Sequence, residues 1–155
     1  MLSVGCLKEN NDHDFRVSLT PETSKKLIKK NINVYVEENC GIKSGFSNED
    51  YSRVGVEILK TQESLIDKSD ILLSINPLDI NFNNISKNAE SKIFIGNFNF
   101  KNLVPDKRFT FLALEKIPRI ARAQSMDILS SQASIAGYQA SLLAANHLNK
   151  YFPML

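Results

Sequence analysis

The chain has 155 residues, of which 43% are hydrophobic and 23% charged, with 19 Lys and Arg set against 17 Asp and Glu. That composition supports a packed core and excludes wholesale disorder. A formal charge of only +2 excludes the concentrated basic face that nucleic-acid binding requires, so no nucleic-acid partner is expected.

In chain order, "LSVGCL" reads as a buried first strand, and "MLSVGCLKEN" has the pattern of a short strand followed by charge rather than of a secretory leader. "TPETSKKLIKKN" reads as a helix, with Thr20 as N-cap, Pro21 in the first turn and Glu22 at the positive helix end. Its basic cluster "SKKLIKK" is interrupted by Leu27 and Ile28, as on the solvated side of an amphipathic helix. "INVYVEE" is a β-branched second strand, Ser47 caps a short helix in "SNEDYSRV", and "VGVEIL" is a third strand. The short helix "TQESLIDKS" leads into the apolar strand "DILLSI", and "SKIFIGNF" and "RFTFLALE" are two further strands. The Asn-rich stretch "NPLDINFNNISKNAESK" fits either a loop or a frayed helix.

Apolar strands alternating with short helices suit a parallel sheet covered on both faces. The expected fold is α/β: a doubly wound, mainly parallel sheet of flavodoxin or Rossmann type, with a long C-terminal helix and residues 1–155 forming a single domain. No apolar run reaches the ~18 residues that cross a bilayer, so a soluble chain is expected, free to dock on a membrane complex. Cys6 and Cys40 lie far apart beside strands and read as reduced thiols. His13 and His147 lack partners at metal spacing, and no metal site is expected.

The longest helical pattern runs over residues 125–149. Leu129, Ala133, Ala136, Ala140 and Leu143 form a stripe of small apolar residues on it, flanked by Ile128, Ile135 and Leu142. Gly137 within the pattern costs about 1 kcal/mol of helix propensity. Ser125 is placed to cap this helix, and Asp127, Ser130, Ser131 and Ser134 share one face of its first turns. The preceding loop adds Arg119, Arg122 and Gln124. Cations, an amide, a carboxylate and hydroxyls at one helix entrance suit a polar ring or a phosphate; equally, they suit a well-capped helix facing water. The glycines contain no GxGxxG or Walker spacing, and no GxSxG elbow is present.

"PRIARAQSMDILSSQASIAGYQA" closely resembles a stretch of the proton-translocating NAD(P) transhydrogenase α subunit, in the N-terminal half of its NAD(H)-binding component. "KENNDHDFRVSLTPETSKKLIKKNINVYVEENCG" resembles the opening of that family, with its R-V-A-x-T-P motif, and "GFSNEDYSRVGVEI" follows the family pattern. Alanine dehydrogenases share this N-terminal domain. The resemblance implies that Arg119, Asp127 and Ser130 orient the nicotinamide of NAD(H), while Gln124 reaches toward NADP(H) on a partner component; Arg122 and Ser131 are read as structural. It implies direct hydride transfer from NADH to NADP⁺ with no catalytic acid, base or nucleophile, coupled elsewhere to proton movement. The implied partners are the NAD domain, the membrane domain and the NADP-binding component, with a homodimer left open. The implied location is cytoplasmic, peripheral to the inner membrane.

By the resemblance, Arg16 matches the arginine that grips substrate carboxylate in alanine dehydrogenases, but Ser74 stands where their lysine aligns and "FIGNFNF" lacks their histidine; a structural pairing of Arg16 with a carboxylate near the first helix is an equal alternative. By the resemblance, the GxGxxG domain that binds most of the NAD follows after "YFPML" in the family, so a truncated, split or decayed gene is expected, inactive alone. The rival readings are a fragment of an alanine-dehydrogenase-like enzyme and a non-catalytic remnant or interaction module.

Overall fold

A computed structural model describes residues 1–77, 85, 91–98 and 107–150. Its contacts divide the chain into two compact units, Met1–Ala113 and Leu114–Leu155.

The first unit is a six-stranded, wholly parallel sheet in the order β3-β2-β1-β4-β5-β6. Its strands are β1 (Ser3–Cys6), β2 (Asn33–Glu37), β3 (Glu57–Leu59), β4 (Ile71–Leu73), β5 (Ile93–Gly96) and β6 (Thr110–Ala113). All six coincide with the strands expected from the sequence, trimmed at their ends. The "NPLDINFNNISKNAESK" stretch falls largely outside the described residues.

Among the described residues three helices cover this sheet: α1 (Pro21–Ile28), α2 (Asn48–Ser52) and α3 (Gln62–Lys68). Each begins at a hydroxyl that accepts a backbone N–H: Thr20 from Thr23, Ser47 from Asp50 and Thr61 from Ser64. In α1 and α2 the N3 side chain bonds back to the cap, which satisfies two otherwise orphaned donors at once. Because side chains alternate along a strand, the sheet builds two cores. Val4, Cys6, Val34 and Val36 pack with Leu19 and Tyr51, joined by Leu27 and Ile28 of α1. On the other side Leu72 and Phe94 pack with Leu65 and Ile66 of α3. Gly5 explains the close seat of α3, since a Cβ there would stand 2.4 Å from Ser69 Oγ and 3.2 Å from Leu65 Cγ. The β5–β6 end is aromatic: Phe94 stacks on Phe111 at 5.3 Å and meets Phe109 edge-on at 5.5 Å.

The second unit contains two short 3-10 segments, Leu114–Lys116 and Ala121–Met126, followed by α4 (Ile128–His147). The long helix therefore starts later than residue 125. Ser125 lies inside the 3-10 segment, and Asp127 is the N-cap in its place. Asp127 has extended backbone at φ −76° and ψ 110° and accepts the Leu129 N–H, which makes it competent to cap where Ser125 is not. No residue of α4 is buried. Among the described residues no helix is long and apolar enough to cross a membrane.

Candidate functional site

The segment that enters α4 forms an open cleft of about 250 Å³ lined by Pro118, Arg119, Ile120, Ala121, Gln124, Asp127 and Ser130. All of the residues singled out as cofactor-binding (Arg119, Gln124, Asp127 and Ser130) are on its wall, whereas Arg122 and Ser131 are not. The brief 3-10 segment brings them together: it carries Gln124 and turns the chain so that Asp127 begins the helix. Sequence reasoning missed Pro118, Ile120 and Ala121, which give the cleft its apolar part; only their interleaving with Arg119 hinted at it.

The polar groups divide into two kinds. Asp127 and Ser130 are fixed: Leu129 N–H donates to Asp127 Oδ1 at 3.0 Å and the Ser130 hydroxyl donates to Oδ2 at 2.8 Å. The Ser130 hydrogen bond, the Leu129 N–H and the nearby charge of Arg119 hold the Asp127 carboxyl below its ordinary range, keeping it an anion at neutral pH. Ser131 instead turns its hydroxyl back onto the Ile128 carbonyl at 3.0 Å, a purely local bond. Among the described residues, by contrast, no side-chain hydrogen bond or ion pair ties down Arg119 or Gln124. Arg119 and Asp127 also line a second cleft of about 280 Å³ with Leu114, Ile117 and Gln132, so they form the wall between the two. Each space is smaller than a site that encloses a whole small molecule. Either could hold one end of a larger ligand, offering a guanidinium, an amide and an anchored carboxylate.

The first unit has its own ligand-prone place, the carboxyl edge between β1 and β4 where the strand order reverses. A crevice there is lined by Asn10, Asn11, Asp12, His13, Asn76 and Pro77. Its charges are spent internally. Buried Glu9 accepts the backbone N–H groups of Ile75 and Asn76 at 2.6 and 2.9 Å. Arg16 donates from Nε and Nη2 to the two oxygens of Asp14 at 2.8 and 2.5 Å, and Asn76 Nδ2 adds a 3.1 Å bond to Asp14. Ser74 is nearly buried and donates to the Asn76 carbonyl at 2.6 Å.

The doubly wound parallel sheet defines the class by its fold, an α/β domain, and the long helix that follows it carries a polar cleft at its mouth. Residues 5–136 match the family model described as alanine dehydrogenase/PNT, N-terminal domain. The chain belongs to that family. It is 33% identical over 162 residues to the first section of the NAD(P) transhydrogenase subunit alpha of Rickettsia prowazekii, a comparison that takes in 99% of this chain and 42% of that one. It is 32% identical to the NAD(P) transhydrogenase subunit alpha of Cereibacter sphaeroides over 97% of this chain and 30% of the relative. The alanine dehydrogenase of Methanococcus maripaludis is 27% identical, with 95% of this chain and 40% of the relative covered. The chain thus spans well under half the length of the curated relatives it matches. Among solved structures, the transhydrogenase from Sinorhizobium meliloti superposes with a TM-score of 0.79 at 29% identity, covering 99% of this chain and 47% of that one.

Proposed function

We propose that this chain is the N-terminal domain of a transhydrogenase α subunit and that its α4 cleft aims the nicotinamide end of NAD(H). The observation that carries this reading is the grouping of Arg119, Gln124, Asp127 and Ser130 around one open space, with the first two unengaged. The donor set suits a carboxamide: an anchored carboxylate accepts its N–H, and a free guanidinium donates to its carbonyl oxygen. Gln124 can both donate and accept, which suits contact with a second nucleotide, NADP(H), held by a partner component. When bound, NADH supplies the hydride. The residues of the cleft orient the ring, exclude water and leave no proton to be moved, so positioning is their whole contribution.

This sequence has no GxGxxG turn, and our reading assigns the pyrophosphate cradle to the further length that the relatives possess. Alone, residues 1–155 are accordingly expected to bind NADH more weakly than low-micromolar, as read by isothermal titration, and not to turn over. Helix α4 mixes apolar and polar residues around its circumference and is almost wholly exposed, with Leu129, Ile135, Tyr138, Leu142 and Leu143 all about half exposed or more. Large apolar side chains exposed together on one helix suit a covered surface, and we assign the cover to the remaining parts of the subunit. In the assembly the domain sits on the cytoplasmic side of a membrane complex. The internal pairing of Arg16 with Asp14 and of Ser74 with the Asn76 carbonyl counts against substrate binding of the alanine dehydrogenase type.

Single-turnover hydride transfer in the complete enzyme tests the reading. Arg119→Ala, Gln124→Asn and Asp127→Asn are each expected to slow transfer about 10-fold or more through lost alignment, while melting temperatures stay unchanged. Asp127→Asn is informative because Asn remains a good N-cap, so only the charge is removed. Unaltered transfer in all three would return the segment to an ordinary helix entrance.

A further inference from the structure

Between β1 and β4 the strand order reverses, so the loops that follow these two strands part, which is the geometry that opens a crevice in sheets of this kind. The crevice here has a volume of about 420 Å³ and is lined by Asn10, Asn11, Asp12, His13, Asn76 and Pro77. Both loops are braced. Glu9, 6% exposed, accepts the Ile75 and Asn76 N–H groups, and the Ser74 hydroxyl donates to the Asn76 carbonyl, so the Asn76 backbone is engaged at both of its polar groups. The Asn76 carboxamide ties the two loops together: Nδ2 donates to Asp14 Oδ2 at 3.1 Å, and Oδ1 accepts from Asn11 Nδ2 at 3.3 Å. Lys43 holds the outer turn, donating to the Asn11 carbonyl at 3.1 Å and to Asp12 Oδ1 at 3.0 Å. The charged groups that line or brace the crevice are thereby matched: Lys43 with Asp12, Arg16 with Asp14, and Glu9 with two backbone N–H groups. What remains unused is neutral. The Asn10 carboxamide and the His13 ring make no hydrogen bond among the described residues. Asn11 and Asn76 each keep a second side-chain N–H and a second lone pair on the side-chain oxygen.

We propose that this crevice binds a neutral, hydroxyl-rich ligand: a sugar ring with adjacent hydroxyls, such as ribose. A carboxamide presents an acceptor and a donor side by side, and two neighbouring hydroxyls present the complementary pair, so one amide engages both at once. Asn10, Asn11 and Asn76 supply three such amides on the crevice wall. A phosphate or carboxylate ligand calls for a guanidinium or ammonium, and none of the described lining residues is Lys or Arg. An apolar ligand would leave the amides without partners. The volume lies toward the lower end of the range for small-molecule sites, which gives room for one ring rather than for a dinucleotide. Because both loops are held before the ligand arrives, little ordering entropy is lost on binding. The site exchanges amide–water for amide–hydroxyl hydrogen bonds in an open setting, which sets an affinity of about 1 mM. The same hydroxyls are carried by a free pentose and by the ribose of a nucleoside. The site lies in Met1–Ala113 and does not depend on the reading of the α4 cleft.

The test is a titration of the 155-residue chain with D-ribose, deoxyribose, adenosine and inorganic phosphate, read from the side-chain amide NMR signals of Asn10, Asn11 and Asn76. Ribose or adenosine is expected to move these signals along a saturating curve, with deoxyribose, which lacks one of the paired hydroxyls, at least several-fold weaker than ribose. Adenosine binding more tightly than ribose assigns the site to a nucleoside; ribose binding at least as tightly assigns it to a free sugar. The Asn10 side chain holds nothing else in place among the described residues. Asn10→Ala is therefore expected to weaken binding several-fold while the melting temperature stays unchanged. No saturable response to either ribose or adenosine up to about 100 mM or the solubility limit, an equal response to ribose and deoxyribose, phosphate binding more tightly than both sugars, or unchanged affinity in Asn10→Ala would each overturn the proposal.

Discussion

The two compact units of this chain bury their apolar residues in opposite measure. In Met1–Ala113 the large side chains are inside, with Tyr51, Phe94, Phe98, Leu65 and Ile66 essentially without solvent exposure. In Leu114–Leu155 the longest helix of the described residues has no buried residue at all, and its leucines face outward. The same kinds of residue thus do different work. In the first unit, apolar burial supplies the driving force for folding. In the second, α4 is held by its own hydrogen bonds and its Asp127 cap, and its larger apolar side chains Leu129, Ile135, Leu142 and Leu143 stay about half exposed. The cleft with its unengaged Arg119 and Gln124 belongs to the second unit.

Substitutions probe that contrast, and the largest effect belongs to the sheet. Phe94→Ala removes a fully buried ring stacked on Phe111 and is expected to cost about 3–5 kcal/mol in urea unfolding. Thr20→Ala deletes the reciprocal cap of α1 and should cost about 1 kcal/mol by the same measurement. The Asp14–Arg16 pair contributes less, since the Arg16 side chain is 46% exposed; we expect under about 1 kcal/mol. Its sign is definite. The Arg16 hydrogen bond holds the Asp14 carboxyl well below the usual carboxylate range. The stabilisation is therefore full above the unfolded value of about 3.9 and is lost as pH falls through the depressed folded value. Asp14→Asn should accordingly be less stable than wild type at pH 7, with the gap closing below about pH 4 in an acid titration followed by circular dichroism. At the bottom of the scale, Leu143→Ala in α4 is expected to change the stability of residues 1–155 by no more than about 0.5 kcal/mol. A cost comparable to that of Phe94→Ala would erase the contrast, because it would mean that α4 is already packed.

What could be read from the sequence was local. Thr20 and Ser47 announced their helices because capping depends on residues three apart, and the strands showed as apolar runs because a parallel sheet buries both faces. The start of α4 was misread for an equally local reason. Ser125 and Asp127 are both good caps, and nothing in the residues says that a 3-10 segment will absorb the first of them. Non-local facts were out of reach. The close seat of α3 depends on Ser69 and Leu65 coming up against Gly5 of β1, which no spacing in the sequence records. Arg16 was legible as a residue in want of a carboxylate, but not that Asp14, two positions away, would supply it with both oxygens. The cleft was half legible: helical spacing related Asp127 to Ser130, whereas the placing of Arg119 and Gln124 beside them rests on an irregular segment that no periodicity predicts.

The functional assignment stands or falls on whether the mouth of α4 meets the nicotinamide end of the cofactor. Backbone amide NMR of the complete α subunit, titrated in parallel with NADH and with AMP, decides the matter. NADH is expected to shift the amides of Arg119–Ser130 while AMP, which lacks the nicotinamide, leaves them in place. Amides of Arg119–Ser130 that stay still at saturating NADH would refute the assignment.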